Sequence, residues 1–141
     1  MEVVMGEIAQ KNAQSQEVKD FAAMMVTDHS KANAELKNIA EKKGIKLLEV
    51  LSKKHQIMVD GMSKLTGAQF DRAYANAMVE GHGKTVDLFK SAATTVSDPE
   101  LKQFVTETLP IIEGHLSKIE EIQTSMNKSL INQSSKKNGS S

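Results

Sequence analysis

SQEVKDFAAMMVTDHSKANAELKNIAEKKG, residues 15–44, decides the fold. Val18, Phe21, Ala22, Met25, His29, Ala32, Leu36, Ile39 and Ala40 step by three and four, the spacing that lays side chains along one stripe of an α-helix. Ser15 is placed to cap the free N–H groups of the first turn, and Gly44 supplies the glycine that follows a helix end. A helix of this length with one apolar stripe is stable only when other elements cover that stripe.

Outward from this segment, the rest of the chain offers the same kind of partner. Residues 1–13 read as the end of a first helix with Met5, Ile8, Ala9 and Ala13 on one side, closed by the polar break Asn12-Ala13-Gln14-Ser15. Between Ile45 and Leu65 the periodicity weakens; Ser52 caps a shorter connecting helix carrying Ile57, Met58, Met62 and Leu65, which Thr66-Gly67 ends. A third long helix follows over about residues 68–96, with Phe70, Tyr74, Ala77, Met78, His82, Thr85, Phe89 and Ala92 on its stripe. The SDPE run at 97–100 starts the fourth, through a Ser97/Glu100 capping box or through Asp98 as cap with Pro99 in the first turn. Its apolar face runs Leu101, Phe104, Val105, Thr108, Ile111, Ile112, His115, Ile119 and Ile122, and Pro110 within it is expected to bend it. No strand signal intervenes, so the expected fold is all-α: an antiparallel four-helix bundle with a short first helix and an extra connecting helix between the second and third long ones. One domain over 1–126 is expected, with 127–141 a disordered polar tail rich in serine and lysine.

Composition narrows the function classes. Eighteen basic residues balance eighteen acidic ones, which leaves no basic field to concentrate nucleic acid. There is no cysteine, so thiol chemistry and thiolate metal sites are out; eight methionines and few aromatics suit a helical core. No window is apolar enough for a transmembrane segment, and MEVVMGEIAQ does not read as a signal peptide.

Two of the four histidines sit in a repeated heptapeptide, MVTDHSK at 25–31 and MVEGHGK at 78–84. His29, His82 and His115 each occupy an apolar stripe, with Met25, Met78 and Ile111 one turn earlier. At about 1.5 Å of rise per residue, Glu2 and His29 lie at similar distances from the first turn, and His82 and His115 at similar distances from the third. The four groups therefore share one layer. Three imidazoles and a carboxylate from four helices form a donor set for zinc, copper or iron, with the thioethers of Met25 and Met78 as soft additions. The same histidines also read as a structural polar layer in which the rings hydrogen-bond one another and fix register. His55, in SKKHQ, reads as a surface residue.

Catalysis finds little support. Carboxylate-bridged di-iron bundles carry Glu-x-x-His on two helices, and Val26, Val79 and Ile112 occupy the glutamate positions here. Glu80 and Glu113, two residues before a histidine, project from another face, so an oxidoreductase is disfavoured. Gly81, Gly83 and Gly114 flank the histidines and are expected where helices approach closely or a ligand needs room.

The runs EVVMGEIAQKNA, EVKDFAAMMVTDHSKANAELKNIAEKKG, FDRAYANAMVEGHGKTVDLF and DPELKQFVTETLPIIEGHL resemble a family of bacterial ferritin-like domains of unknown function, often labelled predicted outer-membrane proteins. The resemblance covers residues 2 to about 122 and implies a ferritin-like bundle in the cell envelope, periplasm or outer membrane. Its pattern matches Glu2, Asp28, His29, His82 and His115, while Gly81 stands where an aspartate usually precedes the second histidine. It also implies a first helix reaching upstream of Glu2 and a secretion signal. A shortened first helix leaves a seam between the other three, through which a homodimer is expected to form. Two functions follow: an envelope bundle binding a transition metal through the inner histidine layer, or a non-catalytic structural or interaction module.

Overall fold

The computed structural model describes residues 1–47 and 50–138. It contains five helices, α1 (Glu2–Asn12), α2 (Gln16–Lys42), α3 (Lys53–Ser63), α4 (Gly67–Thr95) and α5 (Pro99–Asn138), and no strand among the described residues. α1 packs chiefly on α2 and α4 on α5, so the bundle consists of two helical hairpins joined by α3. Among the described residues, no helix is long and apolar enough to cross a membrane.

The ends of α2 form as the opening segment predicts. The Ser15 hydroxyl accepts the Val18 N–H at 3.4 Å. Gly44 takes φ +67°, the Ile45 N–H donates to the Ala40 carbonyl at 2.9 Å and the Gly44 N–H to the Glu41 carbonyl at 3.2 Å, the pair of bonds that closes a Schellman end. Ser52 caps α3 through the His55 N–H at 3.2 Å. Of the two caps read for α5, Asp98 is the one used: its Oδ1 accepts the Leu101 N–H at 3.0 Å, and Pro99 opens the helix where no N–H is needed. The same Asp98 receives Lys43 Nζ at 2.6 Å, which ties the end of α2 to the start of α5.

The core is a column of Met5, Ala9, Val18, Phe21, Met25, Phe70, Tyr74 and Met78, all 0–2% exposed, continued by Ile119 and Ile122 from α5. Several expectations need correction. Ile57 points to solvent, while Met62 is buried as expected and Val59 is buried with it, a narrow three-residue step suited to a short helix lying on α1 and α4. Ile111 is 48% exposed: the buried stripe of α5 runs Thr108, Ile112, His115, Ile119, Ile122, and residue 111 lies at its edge, about 100° round from 112. Gly83 and Gly114 have nothing within 4 Å of a built Cβ, and Gly81 meets only the Met1 methyl at 3.8 Å, so close helix approach is not their reason. The close approach is at Gly6, where a Cβ would lie 2.9 Å from the Ala22 carbonyl oxygen and 2.9 Å from Val26 Cγ2.

The expected disorder beyond residue 126 is not what the structure has as far as Asn138. α5 continues through Pro110 to that residue, with residues 127–137 exposed. Ser129, Ser134 and Ser135 donate back to the carbonyls four residues earlier, so the polar side chains satisfy themselves along the helix instead of competing with it. The last three residues of the expected tail lie outside the described ones.

Candidate functional site

α2, α4 and α5 each turn one histidine inward at the same level. The ring centroids of His29, His82 and His115 form a nearly equilateral triangle of 5.5, 5.4 and 5.6 Å. One nitrogen from each ring lies within 4.8 Å of the others. His82 and His115 are buried, and His29 is mostly so. Beneath them the Phe21 ring meets His82 at 6.2 Å and His115 at 6.4 Å edge-on, which closes the layer from the apolar core.

Hydrogen bonds fix the tautomers of two rings. His82 Nδ1 lies 2.9 Å from the Met78 carbonyl, which can only accept, so Nδ1 carries the proton and Nε2 the lone pair. His115 Nε2 donates to Asp28 Oδ2 at 2.7 Å, which leaves the lone pair on Nδ1. The nitrogens left over, His29 Nε2, His82 Nε2 and His115 Nδ1, are all buried without a hydrogen-bond partner among the described residues. A buried polar atom with no partner costs about 1–3 kcal/mol, and three of them sit together here. Asp28 on His115 is the carboxylate–imidazole arrangement that orients a metal-binding histidine.

Burial disfavours the charged form of two of the rings. Burial pushes the His29 imidazole down to about 4, reinforced by His82 and His115 and opposed by Glu2. Burial also lowers His82, against the Met78 carbonyl bond and Glu2, which favour its proton. Glu2 is raised by burial, but the hydrogen bond from its own backbone N–H and the nearby His29 ring and N-terminal ammonium outweigh this, and its carboxyl is held below the usual range.

The other sequence candidates fall into four kinds. Glu2 shares the cavity beside the layer with Asp28, His29 and His115, yet is not among the groups within 4.8 Å. Met25 and Met78 are fully buried in the apolar core. Glu80 pairs with Lys84 at 2.8 Å and Glu113 with Lys90 at 3.4 Å on the surface, turned from the layer as their spacing requires. His55 lies half-buried on α3, outside the group.

One buried polar residue, Asp71, escaped the sequence reading, and Tyr74 was placed inward without an account of its hydroxyl. Asp71, 5% exposed, accepts the backbone N–H groups of Gln14 at 3.0 Å and Ser15 at 2.9 Å and so holds the α1–α2 turn against α4. Its signal was an acidic residue three and four positions before the inward-facing Tyr74 and Ala75. Tyr74 stacks on Phe70 at 5.6 Å, and its buried hydroxyl has no partner; burial, then the Glu2 charge, push that hydroxyl well above its ordinary range.

Donor chemistry decides what the triangle can do. Three imidazoles aimed at one ion with metal–nitrogen bonds of about 2.0–2.1 Å hold their centroids roughly 5.2 Å apart, close to the 5.4–5.6 Å of this triangle. The residues fit a first-row transition metal.

Comparison with known proteins agrees with the helical architecture. No curated protein matches the chain. The chain superposes with TM-score 0.77 on a solved structure, a DUF305 fragment from Deinococcus radiodurans, at 15% identity, with 88% of this chain and 86% of that one covered; the likeness is one of fold. The sequence model of a family described as a domain of unknown function, DUF4142, matches residues 1–122, and the chain therefore belongs to that family.

Proposed function

We propose that the protein binds one transition-metal ion, zinc, copper or iron, through His29, His82 and His115, in the bacterial cell envelope that the family resemblance implies. The observation that carries this reading is a set of three close-set rings, one nitrogen of each within 4.8 Å of the others, in which every ring keeps a buried nitrogen with no hydrogen-bond partner among the described residues. A purely structural polar layer would join the rings to one another and leave no nitrogen over. Burial lowers His29 and His82, which keeps the lone pairs that ligation needs available on those two rings into mildly acidic solution. The Asp28 carboxylate orients the His115 ring, and Glu2 supplies a nearby negative charge that favours a cation in the layer.

Isothermal titration of metal-stripped protein with zinc, copper and iron tests the proposal. Submicromolar binding at one ion per chain is expected for at least one of them, lost in His82→Ala. Failure of all three to bind folded protein would return the histidines to core structure.

A further inference from the structure

Three imidazoles leave a four-coordinate ion one position short, and the inference that follows rests on the metal reading of the layer. Beside the layer lies a cavity of about 220 Å³, reached by His29, His115 and Glu2 at one end. Its walls come from Leu36 on α2, Phe89 on α4, and Phe104 and Ile112 on α5, with the two phenyl rings 6.3 Å apart and inclined at 55°. Thr85, also on the wall, already donates to the Gly81 carbonyl at 2.9 Å. Thr108, 8% exposed, has a hydroxyl with no hydrogen bond among the described residues.

Size, polarity and charge together restrict what such a cavity takes. An apolar cavity of roughly 150 Å³ holds benzene, so this one accommodates a single ring with one or two substituents. The polar end is where the imidazoles are, the aromatic walls lie beyond, and a binding pocket with few polar groups at one end selects amphipathic ligands. Glu2 and Asp28 at that end balance the charge of a divalent ion, which disfavours a dianion such as phosphate and leaves room for a neutral molecule or a monoanion.

We propose that this cavity binds a small molecule of the phenol class, whose oxygen takes the open position on the metal and whose ring rests against the wall formed by Phe89 and Phe104. Thr108 supplies the second polar contact.

Cobalt(II), loaded into the full chain as a coloured substitute for zinc, provides the test. Azide, which has no apolar body, reports an open coordination position; phenol reports the cavity. Each is expected to change the visible spectrum of the cobalt protein saturably at one equivalent. Thr108→Leu, or Ile112→Phe should the first variant fold poorly, fills the cavity and is expected to weaken phenol at least tenfold while cobalt and azide binding persist. Cobalt bound with phenol silent would overturn this inference alone. Equal phenol affinity in the filled variants would overturn the assigned cavity. Absence of cobalt binding by calorimetry would overturn the metal reading and this inference with it.

Discussion

A neutral imidazole held in the interior makes stability depend on pH in a defined direction. His29 carries a proton below about 6.5 in the unfolded chain but only below about 4 in the fold. Between those values the unfolded state binds a proton that the native state refuses, so metal-free protein loses stability as pH falls through that window and keeps all of it above 6.5. His29 alone amounts to about 2–3 kcal/mol by pH 4, and His82 acts in the same direction. Urea midpoints between pH 7.5 and 4 should fall accordingly; a flat profile would mean that the rings are solvated. The inward placement of these histidines was legible, because the repeated MVxxHxK fixed stripe and depth together. Their tautomers were not, since these depend on the Met78 carbonyl and on Asp28 placed by a different helix. The Tyr74 hydroxyl was invisible for a similar reason: periodicity says that a residue turns inward, never what its polar atom meets.

Glycines separate the local from the tertiary at the scale of helices. Gly6 lets α1 lie directly on the backbone of α2, whereas Gly83 interrupts α4 facing open space. Gly6→Ala must therefore push the two helices apart, at about 1–3 kcal/mol. Gly83→Ala should instead stabilise by about 0.5–1 kcal/mol through helix propensity alone. Thermal melts of the two variants should move in opposite directions, and a shift of the same sign in both would contradict this packing. The sequence pattern placed Gly81, Gly83 and Gly114 under suspicion and passed over the one that matters, because a helix crossing is a property of two segments. Caps fared better: Ser15, Ser52 and Asp98 act through N–H groups three residues away, within reach of a local reading. The Lys- and Ser-rich stretch after Met126 was misread because polarity excludes burial but does not exclude a helix whose serines bond their own backbone.

The whole molecule is two hairpins, and the histidine layer exists only when they dock, since His29 belongs to one and His82 and His115 to the other. Docking is secured at both ends of the bundle, by Lys43 on Asp98 at one and by the α1–α2 turn at the other. Asp71 of α4 takes two N–H groups from the α1–α2 turn, Asn12 Nδ2 donates to the Leu65 carbonyl at 3.0 Å, and the backbones of Ala13 and Gly67 pair beside them. Asp71→Ala leaves two N–H groups without an acceptor in a closely packed turn, which should cost about 2–4 kcal/mol while both hairpins remain helical. A metal that binds only the docked form acts against that loss: at a hundredfold excess over its dissociation constant it adds about 2.7 kcal/mol. Urea denaturation of Asp71→Ala with and without zinc should therefore show a lowered midpoint that zinc largely restores. Restoration in this variant, together with its absence in His82→Ala, would show that ligation and docking are one equilibrium. A destabilised variant to which zinc binds without any gain in stability would mean that the ion is held by a single hairpin, contrary to the geometry of the layer.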